Sequence, residues 1–203
     1  MAREESGPDK AAVLSQFKIT LLGTKPPIWR RIQTWSCTLD KLHEHIQTAM
    51  GWTNSHLHEF TIGDRIYGDP LLMEDDIEPI EYVDSTITML SDILPKSSKQ
   101  MRFLYEYDFG DGWAHDVLFE GCPRPELGKR YPLCLEGERS CPPEDVGGVG
   151  GHADFLKILA DPRDDQHKEK RAWVGRKFDA EKFDPIAATR RMWRRIRKLD
   201  WRD

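Results

Sequence analysis

The sequence has no CxxC pair, and its four cysteines (Cys37, Cys122, Cys134 and Cys141) are scattered through 203 residues. That excludes a zinc ribbon, and a chain this long needs no disulfide staples, so reduced thiols in a cytoplasmic protein are expected. No run approaches the ~20 apolar residues of a membrane span, and "MAREESGPDKAAVLSQ" has no apolar signal core. A membrane partner is therefore not expected. Positive charge is also short: the formal net charge is -5, which argues against the whole chain being an electrostatic DNA binder. The familiar nucleophile and nucleotide motifs are missing too, with no GxSxG, no HExxH, no GxGxxG and no GK[ST].

What is present is a charged, globular composition, 38% hydrophobic and 32% charged, with seven tryptophans to anchor a core or line a groove. Residues 1–15 read as a disordered lead, and 16–203 as a single α+β domain. "FKITLLG" and "IWRRIQTW" alternate as strands around "KPP", with Trp29 as an expected anchor. "CTLDKLHEHIQTAMGW" spaces Leu39, Leu42, Ile46, Ala49 and Met50 as a helix, with Thr38 as N-cap and Gly51 as stop. "HLHEFTIGDRIYGDP" predicts a strand and short return, Leu72 to Glu81 an acidic loop, and "STITMLSDIL" either strand or helix. "MRFLYEYDF" and "WAHDVLFE" predict a hairpin, and "RYPLCLEG" a further strand. Helices are expected over "HADFLKILAD", over "RDDQHKEKRAWVG" and after Asp184-Pro185, an N-cap and N1 pair. Antiparallel hairpins in two clusters, packed with several helices, make the fold class α+β in one compact unit.

The segments "PPIWRRI", "LHEHIQTAMGW", "HLHEFTIG", "YDFGDGWAHDV", "YPLCLEGERSCPPEDVGG" and "KFDAEKFD", in that order and spacing, resemble the plasmid pRi open-reading-frame-three-like family, also labelled insertion-element passenger TnpR proteins. The resemblance runs from about Phe17 to Arg191. It implies a compact α+β domain, sometimes carried on mobile elements, with no established activity. Val146 stands where relatives are expected to carry another cysteine, which weakens any family-wide thiolate site here.

"YEYDFGDGWAHDVLFE" is the richest stretch. A two-residue turn at Gly110-Asp111 or Asp111-Gly112 puts Glu106, Asp108, Trp113 and His115 on one face. Tyr105, Tyr107, Phe109 and Leu118 then lie on the other. A three-residue loop swings His115 to the aromatic side instead. Asp108 with His115 suits a divalent metal or acid–base work; equally, Asp108 and Asp111 suit the turn backbone alone. In "CPPEDVGGVGG" the glycines can expose backbone N–H groups to an anion. The alternative is that Glu144 and Asp145 cap a helix or pair with Arg30 or Arg31. His56 and His58 share a strand face and join His115 as metal candidates; Cys134 and Cys141 stand outside zinc spacing.

From Ile186 to Asp203 the chain carries seven Lys/Arg against two Asp, leaving -10 for the remainder. On a helical wheel Ile186, Thr189, Met192, Trp193, Ile196 and Leu199 form an apolar stripe. Arg190, Arg191, Arg194, Arg195, Arg197 and Lys198 lie opposite. Such a helix can dock on the core with a solvated basic face, contact nucleic acid or an acidic partner, or pair with a second copy. The expectation is a non-catalytic binding or accessory protein, linked to mobile elements or DNA transactions through the resemblance, with no cofactor other than a divalent metal. The alternative is a metal-dependent or acid–base enzyme, hydrolase-like, built from Asp108, Asp111, His115, Glu144 and Asp145. It requires the two glycine-rich segments to meet beside a hollow.

Overall fold

The computed structural model describes residues 13–72, 81–97, 99–175 and 177–194. Alternating apolar residues form β1 (Leu14–Leu21) and β2 (Ile28–Trp35), which pair antiparallel with Ile19 opposite Arg30. β1 starts inside the expected lead: Leu14 and Ser15 are buried strand residues, and segment 1–12 lies outside the described residues. The helix α1 (Leu39–Met50) follows, where Thr38 Oγ1 accepts the Lys41 amide at 3.2 Å and Gly51 ends the helix at φ 115°. β3 (His58–Ile62) turns into β4 (Arg65–Gly68), and β5 (Tyr82–Asp84) pairs parallel to β4. The ambiguous segment after it resolves into the one-turn helix α2 (Leu90–Ile93). β6 (Met101–Tyr107) and β7 (Trp113–Gly121) make the hairpin, and β8 (Leu133–Glu138) the last strand. Three helices follow: α3 (Gly148–Ala160), α4 (His167–Val174) and α5 (Pro185–Met192). α3 begins four residues earlier than the apolar pattern suggests, inside the glycine-rich segment.

The strands form one eight-stranded sheet in the order β5-β4-β3-β6-β7-β1-β2-β8, antiparallel except at β4–β5. One face carries Phe17, Ile19, Ile32, Phe60, Tyr105, Trp113 and Phe119, all buried. α1 and α5 pack on each other beside it, with α5 reaching β8. The opposite face is polar: Arg31 grips Glu120 with two bonds of 2.7 and 2.9 Å, and Lys18 sits 4.6 Å from the Trp29 ring centre. Trp29 is therefore not a core anchor. The alternation of β2 turns it outward and sends Arg30 into the core, 1% exposed. α3 and α4 pack mainly on each other through Phe155, whose ring lies 5.6 Å from both Trp173 and Phe178.

Asp184 caps α5 as expected, its Oδ1 accepting the amides of Ile186 and Ala187. α5 ends at Met192, with Trp193 as its C-cap. Thr189 and Met192 are buried, whereas Ile186 is 64% exposed and lies off the buried stripe. Arg190 and Arg194 are exposed. Arg191 departs from the expected solvated face: its Nε donates to the Thr48 carbonyl at 3.0 Å and fastens α5 to α1. Arg195, Ile196, Arg197, Lys198 and Leu199 lie outside the described residues.

Candidate metal centre

Three loops converge at one end of the sheet. The first is the β6–β7 turn. Tyr107 pairs with Trp113 and Tyr105 with His115, so five residues, Asp108 to Gly112, make the reversal. Asp108 takes φ 57°, and its Oδ1 accepts the amides of Gly110 (3.1 Å) and Asp111 (3.3 Å). One carboxylate oxygen thus builds the turn and the other is left to face His56. An odd number of loop residues also swings His115 to the aromatic side, away from Asp108. His115 is fully buried among Tyr105 and Trp52, its Nδ1 3.3 Å from the Tyr105 carbonyl. Burial pulls its imidazole down to about 4. The shared Asp108–His115 face does not form.

The second loop precedes β3. Leu57 accepts the Asp108 amide through its carbonyl (2.9 Å), and the Ser55 amide donates to the Tyr107 hydroxyl (3.0 Å). Between these anchors His56 faces the turn, its Nε2 3.6 Å from Asp108 Oδ2. The third loop is the glycine-rich one. Asp111 Oδ2 accepts the Gly147 amide at 3.2 Å, and Gly148, at φ 66°, lies so close that a Cβ there would sit 2.4 Å from the Asp111 carbonyl oxygen. This contact delivers Asp145, also at positive φ (57°), with Oδ1 3.0 Å from His56 Nε2. The two glycine-rich segments do meet.

His56, Asp108 and Asp145 each offer one ligand atom, all within 4.8 Å of one another. Bonds of about 2.0–2.6 Å to a divalent ion place opposite donors up to ~5 Å apart, so the three fit around a single ion. His56 Nε2 supports that fit. It is buried and close to two carboxylates, yet makes no well-directed hydrogen bond. One imidazole with two carboxylates suits manganese, iron or zinc better than a soft-metal thiolate set. Asp145 is 73% exposed along its side chain, and a cavity of about 580 Å³ opens beside His56 and Asp108, walled by Leu57, Leu71, Leu72 and Phe109.

Behind the loops a ring of neutral hydrogen bonds fixes the second one in place. Gln47 Nε2 donates to the Tyr105 hydroxyl (2.9 Å), which meets His43 Nδ1 (2.8 Å); His43 Nε2 meets Asn54 Oδ1 (2.6 Å), and the Asn54 amide returns to Gln47 Oε1 (3.2 Å). An amide oxygen only accepts, so His43 carries its proton on Nε2 and the tyrosine donates to Nδ1. His58 belongs to this buried layer, not to the metal centre. Its ring stacks on His43 at 3.4 Å, and burial pushes its pKa well down. Glu144 neither caps a helix nor pairs with an arginine: its Oε1 accepts from the Thr53 amide (2.9 Å), the Thr53 hydroxyl and the Tyr107 hydroxyl (both 3.1 Å). Arg31 pairs with Glu120 and Glu136 instead. Cys134 and Cys141 lie away from the centre, with thiols that burial pushes up.

The sequence profile described as plasmid pRiA4b ORF-3-like protein matches residues 14–187. The chain belongs to that family. It is 39% identical over 165 residues to "Uncharacterized protein y4hQ" of Sinorhizobium fredii (strain NBRC 101917 / NGR234), covering 81% of this chain and 82% of the relative. The crystal structure of a protein of unknown function, MM3350 from Methanosarcina mazei Go1, superposes with a TM-score of 0.75 at 35% identity. It covers 86% of this chain and 97% of the other. This plasmid pRiA4b ORF-3-like chain thus shares its overall fold with an archaeal protein. No helix among the described residues is long and apolar enough to cross a membrane.

Proposed function

We propose that the chain is a cytoplasmic binding protein that holds one divalent transition-metal ion between His56, Asp108 and Asp145 and offers the ion's open positions to a ligand in the adjoining cavity. The observation that carries this reading is the delivery of three donors by three separate loops, each pinned by its own backbone bonds. The free thiols, none in a disulfide among the described residues, support a reducing compartment. An accessory role beside mobile elements rests on the plasmid-derived family description.

Equilibrium dialysis against manganese and zinc tests the centre, with about one ion per chain expected. Asp108→Asn keeps the Oδ1 acceptor that builds the turn but removes the ligand charge. Since even supporting residues around a metal cost about 10–100-fold in affinity, this variant and His56→Gln should each lose at least tenfold. Wild-type protein that takes up neither metal would end the proposal. Three protein ligands, rather than a closed set of four, are also the pattern of catalytic metal sites. The hydrolase-like reading thus keeps Asp108 and Asp145 but loses His115. Metal-dependent turnover of phosphate or carboxylate esters, abolished by Asp108→Asn, would favour it.

A further inference from the structure

A second cavity, of about 500 Å³, lies on the far side of Glu144, between the end of α1, the Cys141–Glu144 segment and the start of α5. Arg30 and Arg191 both line it, and neither has a carboxylate at ion-pair distance among the described residues. Arg30 is almost wholly buried and donates four of its N–H groups to carbonyls of Ala49, Trp29, Glu138 and Arg139 (2.7–3.1 Å). A guanidinium has five N–H donors, so one on Nη2 is left over. Arg191 spends only its Nε, on Thr48; its Nη2 lies 3.9 Å from where a Cβ on Gly51 would stand, and Gly51 is part of the cavity wall.

The acids in the wall do not neutralise this pair. Glu144 is taken by Thr53 and Tyr107, Asp184 caps α5 and reaches Arg191 only through its field, and Lys182 has its own partner in Asp179. The Cys141 thiol is pushed up by burial and supplies no countercharge. Uncompensated buried charge is costly, and carbonyl dipoles offset only part of that cost. The remaining walls are apolar and flat: Trp52, Phe178, Val174 and Phe183, the last stacked 3.8 Å from the Arg30 guanidinium carbon.

We infer that this cavity binds a small organic anion, a carboxylate or phosphate group on a planar apolar body. The anionic oxygens meet Arg191 and the spare Arg30 N–H, and the body lies against Trp52 and Phe178. This inference stands apart from the metal centre and does not depend on it.

Calorimetry with phenyl phosphate and benzoate as probes, and benzyl alcohol as the uncharged comparison, tests it. At least one of the two anions should bind at one per chain, and the alcohol should not. Charge-assisted hydrogen bonds are strong enough that Arg191→Gln should weaken the anion about tenfold or more, with Arg191→Lys recovering part of the loss. Arg190→Gln removes an equal charge from the exposed side of the same helix and should change affinity less than about twofold. Val174→Glu puts a carboxylate in the α4 wall and should abolish binding even if Arg191→Gln fails to fold. No saturable binding of either anion up to ~10 mM, near the weak end of specific recognition, would overturn the inference. So would equal binding of the alcohol, an Arg190→Gln loss as large as that of Arg191→Gln, or unchanged affinity in Val174→Glu.

Discussion

Both ring nitrogens of His43 are engaged, by Tyr105 and by Asn54, and burial favours the neutral ring. Burial likewise holds His45 and His115, with His43, at about 4, below the ordinary 6.5. All three are neutral in the fold, while an unfolded chain takes up protons below about 6.5. Stability from these groups is therefore complete above that pH and is lost as the pH falls from about 6.5 to about 4. Each contributes a slope of up to ~1.4 kcal/mol per pH unit in that window. The urea midpoint should hold between pH 8 and 7 and drop clearly at pH 5. A midpoint flat from pH 7 to 5 would mean that these rings are not shielded as described.

Between elements, the contact that matters most is the one joining the β6–β7 turn to the start of α3. Gly148→Ala brings a methyl carbon to 2.4 Å from the Asp111 carbonyl oxygen and forces a side chain onto φ 66°. Expected costs are about 1–2 kcal/mol for the backbone alone, and separation of Asp145 from His56. Thermal unfolding and manganese affinity should both fall, while Gly150→Ala, which meets nothing within 4 Å, should leave both nearly unchanged. Sequence pattern showed α1 well, because Thr38 and Gly51 are local signals that act within one helical turn. It showed that Asp108 would serve the turn, but not how long that turn would be. Asp108 adopts a left-handed backbone more readily than most residues, and this lets five residues replace two, which moves His115 to the other face. His56 and Asp145 were each visible as candidates. Their meeting was not, because it depends on the distant Asp111–Gly147 bond. Arg30 was legible in hindsight: Ile28, Arg30 and Ile32 alternate, and a charge on that row faces inward whatever its cost.

At the scale of the molecule, most apolar residues belong to one cluster over the sheet, whereas Phe155, Trp173 and Phe178 form their own group between α3 and α4. Stability follows such divisions, and parts with fewer shared contacts open first. Amides in α4 and the second half of α3 should exchange with deuterium sooner than those of β6 and β7, as peptide-level mass spectrometry would show. Simultaneous exchange throughout would mean that the molecule opens as one piece. The same division runs through the Arg191 cavity, where Trp52 and Arg30 stand on the sheet side and Val174 and Phe178 on the outer layer. A molecule lodged there acts as a rivet between a fixed plate and a hinged one. Its arrival would register as slowed exchange in α4, and its residence time would be set by how often the hinged plate lifts.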